Sequence, residues 1–451
     1  MRFDLRALWI GLALGGCSGR PSLAPDASDG AASDSLPEDA SADASAGDSG
    51  VGICGNGVTD EGEVCDGNSV ACPMLGGSWS AGMARCRASC GAWDVSACTL
   101  RSPGNFESVK PAERDPARWA SARCNDGTPF GFLISLAPMP SHDWVIQLEG
   151  GGYCDDATMR CAERQARLTT TLGLPDRGTG TLVTPGLFSR DAARNPSFSG
   201  ANIVQAHYCS SDFWSRATTE LRPSAVAAGG WYYSGRANVR ALFALLTQRY
   251  GLDDQDPALR VLFGGNSAGA VGAHINSAFV AQTLPRARAD GRLTLLLDAP
   301  WFLDWDDPAN RIVNATVRDR EVWRTTLAYW GSALDPECVA SVREPVDCFF
   351  GRTWYPIVSA RMRTFVQQSQ LDEVIALALH PHLATDAAGE RAWRAQMADA
   401  LGSVSRLFSG STSYHVLTVT DRGWATGPAG STLQEMVSRF FNDGPPERVT
   451  F

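Results

Sequence analysis

Leu259-Arg260-Val261-Leu262-Phe263-Gly264-Gly265-Asn266-Ser267-Ala268-Gly269 runs from an apolar stretch into the pattern Gly-x-Ser-x-Gly, and a small-residue stretch through Val271, Ala273, Ile275 and Phe279 follows. This order reads as strand, sharp turn and helix, with a serine at the apex. Strained backbone of about 1–3 kcal/mol is kept mostly at functional sites, so an apical serine here is a candidate nucleophile. Glycines two residues to either side remove the Cβ atoms that would collide where helix and strand pass.

A second glycine run lies upstream. Trp144-Val145-Ile146-Gln147-Leu148 reads as a buried strand leading into Glu149-Gly150-Gly151-Gly152-Tyr153-Cys154. Glycines after a strand leave backbone N–H groups free to turn inward. In acyl transfer such donors, with the N–H of the residue after the nucleophile, here Ala268, hold the oxyanion of the tetrahedral intermediate.

Further strands are expected at Phe130–Leu136, Ala201–His207, Leu293–Leu297 and Thr364–Gln368, with a last one at Val416–Thr420. Helices are expected at Ala237–Tyr250, Ala268–Leu284, Asp372–His380 and Glu390–Leu401. Apolar strands alternating with amphipathic helices predict an α/β fold with a mostly parallel sheet covered on both faces, whose site lies at the carboxyl ends of the strands.

The serine needs a base, and the base an orienting acid. With this kind of elbow the chain order is serine, acid, histidine. Of the histidines after Ser267, His274 sits on the elbow helix and reads as structural. His380 and His382 read as a surface helix stop, and His415 in a loop near the C-terminus is the preferred base. Asp298 and Asp372 both follow strands and compete for the acid; the layout favours Asp372, although either could instead cap a helix. Trp301, Phe302 and Trp305 could line an apolar pocket or belong to the core.

The N-terminal end has a basic start, a short apolar core from Ala7 to Leu14, and Leu14-Gly15-Gly16-Cys17. Residues 1–16 are therefore expected to be an export signal; the lipobox-like Cys17 is expected to carry a lipid that tethers the protein to the outer membrane at the cell surface, the alternative being an ordinary secreted protein in which Cys17 is incidental. Residues 17–52, rich in Ser, Ala, Asp, Gly and Pro, are expected to be a disordered acidic tether. The remaining cysteines are even in number and form two groups. Cys54, Cys65, Cys72, Cys86, Cys90 and Cys98 define a module over 53–99, expected to be held by disulfides rather than zinc, because it contains no histidine and no pair of Cys-x-x-Cys knuckles. Asp60, Glu61, Glu63 and Asp66 do not follow an EF-hand spacing. Residues 100–451 are expected to form one α/β domain that carries the serine elbow and the glycine run. A net charge of −10 and the absence of a basic cluster exclude nucleic acid as a natural partner.

Several segments together resemble the pectin acetylesterase and Notum family. These are Cys124-Asn125-Asp126-Gly127-Thr128-Pro129, Leu148 to Cys154, Tyr208 to Ser215, Gly235-Arg236-Ala237-Asn238, Gly265 to Gly269 and Gln370-Leu371-Asp372-Glu373. The resemblance implies an α/β-hydrolase fold and metal-free, cofactor-free ester cleavage, with Ser267 as nucleophile, Asp372 as acid and His415 as base. It also implies Gly151, Gly152 and Ala268 as oxyanion donors, and disulfides joining Cys124 with Cys209, Cys154 with Cys161, and Cys338 with Cys348. The substrate it implies is an acylated extracellular carbohydrate or another ester. Gly152 stands where the lipid-removing branch has Trp, which favours a small acyl group such as acetyl. A long-chain deacylase and a catalytically silent binding protein on the same scaffold are the alternatives. The opening Cys54-Gly55-Asn56-Gly57 through Cys65-Asp66-Gly67-Asn68 resembles the cysteine-rich repeats of myxobacterial surface proteins, which implies a display or spacer role.

Overall fold

The computed structural model describes residues 54–451, apart from 61, 77, 156–160, 175–184, 219, 224–228 and 306–318. The expected export signal, Cys17 and the acidic tether lie outside the described residues. From Cys54 to Phe451 the chain forms one compact unit.

A nine-stranded sheet organises this unit. In chain order its strands are β1 (Glu107–Val109), β2 (Phe132–Ser135), β3 (Asp143–Leu148), β4 (Asn202–Ala206), β5 (Arg260–Asn266), β6 (Leu293–Asp298), β7 (Arg363–Gln367), β8 (Leu407–Ser409) and β9 (Arg448–Thr450). Their spatial order is β9-β8-β7-β6-β5-β3-β4-β2-β1. All neighbours from β4 to β9 run parallel, and only β2 is reversed, pairing antiparallel with both β4 and β1. The central strands are buried on both faces, which is why Val261-Leu262-Phe263 and Leu293 to Leu297 read as nearly unbroken apolar runs.

The helices that matter for the site are α1 (Gly235–Arg249), α2 (Ala268–Ile275), α3 (Ser277–Thr283), α4 (Asp319–Trp330), α5 (Gly351–Arg361), α6 (Ala387–Ala400) and α7 (Leu433–Phe441). The single helix expected over Ala268–Leu284 is broken at Asn276, whose buried amide donates to Trp214 O and Gly272 O and holds the chain in a turn. The expected helix after Asp372 is a π-helical turn, Glu373–Ala378.

The strand expected at Val416–Thr420 does not form. The N–H groups of Leu417 and Thr418 bond to the Asp298 carboxylate instead of a neighbouring strand, and Thr418 O accepts from Leu187 N. The sheet is completed by β8 and β9, which are too short to carry a clear alternation in sequence.

The cysteine-rich segment is stapled by Cys54–Cys90, Cys65–Cys86 and Cys72–Cys98. Three short antiparallel strands, Ser69–Ala71, Met83–Cys86 and Trp93–Asp94, run between the staples. The Asp66 carboxylate accepts from the N–H groups of Gly55, Asn56 and Gly57, so the Cys-Gly-Asn-Gly motif is a loop folded around an acid. Gly55 and Gly57 both have positive φ, which explains their residue type. The segment is not isolated: Arg87 pairs with Asp253, Arg249 donates to Leu75 O, and Leu75, Trp79 and Trp93 join the main hydrophobic core.

Candidate active site

Ser267 sits between β5 and α2 with φ 54° and ψ −125°, a conformation that L-residues rarely adopt. The surrounding glycines are required by close approach. A Cβ on Gly269 would stand 1.9 Å from Leu148 O, one on Gly265 2.3 Å from the Gly269 carbonyl carbon, and one on Gly150 2.8 Å from the Ser267 Cβ. Strand end, elbow and glycine run are therefore in direct contact at the carboxyl edge of the sheet.

His415 reaches this point from the loop between β8 and α7. Its Nε2 lies 2.7 Å from Ser267 Oγ, and its Nδ1 lies 2.8 Å from both carboxylate oxygens of Asp372. With the proton on Nδ1, directed at Asp372, Nε2 is free to accept the serine hydroxyl proton. Asp372 is fully buried at the end of the segment after β7. Its Oδ1 also accepts from Val374 N and Ile375 N, so it caps the π-helical turn while facing the imidazole. Capping and orienting, alternatives in the sequence, coexist in one carboxylate. Burial opposes a charge on His415, but Asp372 overrides this, helped by Asp298 and Glu373, and the imidazole pKa is raised above its usual 6.5.

Asp298 does not touch the imidazole among the hydrogen bonds of the described residues. It is buried at the end of β6 and accepts from Leu417 N, Thr418 N and the Thr418 hydroxyl, so it braces the loop that carries His415. Burial raises its pKa to about 6 against these donors. The neighbouring backbone helps fix the elbow, since Ser267 N donates to Asp298 O at 2.7 Å.

The other histidines lie elsewhere. His274 is buried in α2, stacked on Trp354 at 4.3 Å, and burial pushes its pKa down to about 3. His380 is not a surface stop. It is 1% exposed, pairs with Asp319 at 3.3 Å and packs on Trp393, because the chain after the π-helical turn folds back toward α6. Trp301, Phe302 and Trp305 are all buried in aromatic packing: Trp301 against Trp354, Phe302 against Trp323 and Phe349, and Trp305 against Trp393.

Gly151 and Gly152 have φ 146° and 70°. Among the described residues, the N–H groups of Gly151, Gly152 and Ala268 make no hydrogen bond. The run is held from behind. Glu149 accepts from His207 Nδ1 and Tyr208 N with one oxygen and pairs with Arg167 through the other, and Trp214 Nε1 donates to Glu149 O. Glu149 and Trp214 were not singled out from sequence as supports of this site; Glu149's position directly before three glycines was the available signal. Cys154 pairs with Cys161, Cys124 with Cys209, and Cys338 with Cys348. The first two of these bridges flank the glycine run and the Ser210-Ser211-Asp212 loop packed beside it.

A hydroxyl hydrogen-bonded to an imidazole that a buried carboxylate holds, with unspent backbone N–H groups in the adjoining glycine run and elbow helix, has the parts required for acyl transfer.

The sequence matches the family described as pectinacetylesterase over residues 109–410. The palmitoleoyl-protein carboxylesterase notum1' of Xenopus laevis is 29% identical over 283 residues, 60% of this chain and 54% of that protein. Pectin acetylesterase 5 of Arabidopsis thaliana is 28% identical over 237 residues, 52% of this chain and 51% of that protein. The chain thus spans about half the length of the curated relatives it matches. Among solved structures, the Wnt deacylase Notum from Drosophila superposes with a TM-score of 0.65 at 24% identity, covering 75% of this chain and 93% of that one, a likeness of fold.

Proposed function

Because the match over residues 109–410 makes this chain a member of the pectinacetylesterase family, we propose that it is a serine carboxylesterase that removes short acyl groups, acetyl above all, from an extracellular carbohydrate. The observation that carries the reading is His415, which reaches Ser267 at 2.7 Å across 148 residues of sequence and Asp372 at 2.8 Å across 43.

In this reading Ser267 Oγ attacks the ester carbonyl while His415 Nε2 takes its proton, and the Asp372 carboxylate stabilises the imidazolium. The tetrahedral oxyanion is held by the N–H of Ala268 with those of the glycine run. Collapse expels the alcohol, which takes the proton from His415, and leaves an acyl-serine. Water, deprotonated by His415, then releases the acid. No step calls for a metal or cofactor.

A short acyl group is favoured by the packing next to the glycine run. Tyr153 is 5% exposed and lies against Phe213, Trp323 and Trp330 at ring separations of 5.2–5.8 Å. Phe302 and Phe349 extend the same cluster. Dense aromatic packing of this kind leaves little free volume for a long chain without rearrangement. The second reading, a long-chain deacylase, is favoured by the name of the Xenopus relative. Disulfides throughout the described chain favour an oxidising compartment, and lipid attachment at Cys17 would place the enzyme on the cell surface.

The test is hydrolysis of p-nitrophenyl esters from acetyl to palmitoyl by the oxidised full chain beside Ser267→Ala. Serine-dependent turnover greatest on acetyl supports the deacetylase. A maximum at long chains supports the lipid reading, and folded protein without serine-dependent turnover points to a silent binding scaffold.

A further inference from the structure

Arg164 stands behind the glycine run and spends its guanidinium on that run alone. Its Nη2 donates to Gly151 O at 2.8 Å and its Nη1 to Tyr153 O at 2.9 Å. Among the described residues no carboxylate pairs with it. An arginine that bonds two carbonyls of one loop, with no acid to neutralise it, is unusual for a purely structural ion-pair role. Such charge-assisted bonds are roughly twice as strong as neutral ones.

The two carbonyls belong to peptides with different fates. All peptide bonds here are trans, so the N–H of each unit points opposite to its C=O. In the unit shared by Tyr153 and Cys154, the C=O takes Arg164 and the N–H donates to Ser211 O at 3.1 Å. That peptide is satisfied at both ends. In the unit shared by Gly151 and Gly152, the C=O takes Arg164 while the N–H of Gly152 has no acceptor among the described residues. A Cβ on Gly150 would stand 2.8 Å from the Ser267 Cβ, so the run that carries this unspent donor two residues later starts against the candidate nucleophile. The two ends of the segment are pinned by indoles, Glu149 O by Trp214 and Cys154 O by Trp330. The loop therefore has little freedom to turn the Gly152 N–H elsewhere.

The local chain delivers Arg164 to this position. Cys161, bridged to Cys154, opens a short 3-10 turn, and Arg164 N closes it on Cys161 O at 3.2 Å. Arg167, one turn later, reaches Glu149 at the start of the run.

The geometry points to Arg164 as the positioning residue of the oxyanion hole: by holding Gly151 O it aims the Gly152 N–H at the reacting carbonyl oxygen, and by polarising that peptide it strengthens the N–H as a donor. This rests on the ester-hydrolase reading above. A cation on the carbonyl end of a peptide draws density from its N–H end, and hydrogen bonds in such chains reinforce one another. The donor is needed only when the carbonyl oxygen becomes an oxyanion, so the effect belongs to the transition state and not to substrate binding.

The test uses the full oxidised chain as wild type, Arg164→Lys, Arg164→Met and Ser267→Ala. Three quantities are read: kcat and KM on p-nitrophenyl acetate, the inhibition constant of an alkyl trifluoromethyl ketone, which forms a tetrahedral oxyanion on a serine, and the thermal midpoint. Arg164→Met is expected to lower kcat by roughly 100- to 1,000-fold with KM changed less than about threefold, and to weaken the ketone by a matching factor. Arg164→Lys, able to reach one carbonyl with a charge, is expected to recover part of both losses together. Should Arg164→Met fail to fold, the lysine variant still carries the comparison, because a structural defect alone would not make ketone affinity and kcat fall in parallel. Turnover within threefold of wild type in either folded variant, or kcat falling while ketone affinity holds, overturns the role of Arg164 and leaves the esterase standing. Wild-type protein without Ser267-dependent turnover overturns the esterase and this inference with it.

Discussion

Asp372→Asn separates the two aspartates that compete in the sequence, and its effect can be worked from the distances. Both Asp372 oxygens lie 2.8 Å from His415 Nδ1, and Oδ1 also caps Val374 N and Ile375 N. An asparagine keeps the shape and can keep the cap with its oxygen, since Asp and Asn are nearly equivalent at such positions. Its NH2 then faces Nδ1, so the imidazole must carry its proton on Nε2, the nitrogen that should accept from Ser267. The wrong tautomer costs roughly 10,000-fold in kcat, about 5.5 kcal/mol at 1.36 kcal/mol per decade. The NH2 also meets Gln368 Nε2, formerly a donor to Oδ2, which costs on the order of 1 kcal/mol of stability. Asp298→Asn should show the opposite balance. Its NH2 or oxygen must face three donors from Leu417 and Thr418, which costs about 1–3 kcal/mol of stability, while the imidazole keeps its acid.

The assay is kcat/KM on p-nitrophenyl acetate against pH, with thermal melts of the same samples. Only neutral His415 accepts a proton, so activity is lost as pH falls through its raised pKa, and the wild-type acid limb should lie above 6.5. For stability the sign is opposite: protonated His415 stabilises the fold below its unfolded pKa, and this contribution is lost as pH rises through the folded one. Asp372→Asn removes the principal favourable charge and should move the acid limb of its residual activity downward. A larger activity loss in Asp298→Asn than in Asp372→Asn, or an acid limb unmoved by Asp372→Asn, would refute the assignment.

Two further outcomes are expected. Replacing Cys154 and Cys161 together by serine should cost roughly 2–3 kcal/mol of stability by loop entropy, and should lower kcat more than it raises KM because the turn bearing Arg164 is released; an unchanged kcat at a temperature well below the melt would detach that bridge from the site. Dialysis against EDTA should leave kcat unchanged, and a loss restored by added zinc or calcium would count against a mechanism resting on Ser267, His415 and Asp372 alone.

What the sequence determined was local. The strand into Ser267 and the helix out of it are written in adjacent residues, and the glycines needed for close approach have no substitute, so elbow and glycine run are legible at once. The central parallel strands are equally plain because burial on both faces demands continuous apolar residues. The residues themselves prefer His415 as base and lean to Asp372 over Asp298 by chain order, and the family resemblance implies the same pair; the sequence alone does not show that Asp298 instead braces the loop carrying His415.

Tertiary structure decided what depends on partners distant in the chain. Val416–Thr420 has the composition of a strand, yet its N–H groups go to Asp298, 119 and 120 residues away, and that exchange turns a would-be strand into the loop presenting His415. His380 looks like a polar helix stop until Asp319 and Trp393 enclose it. Arg164 is one of many arginines in a chain with a single lysine, and nothing in its neighbours reveals that its guanidinium meets two carbonyls ten or so residues back. Period and propensity report which face of an element is buried; they do not report which buried polar group a distant donor will find, because that is fixed only when the sheet brings the two together.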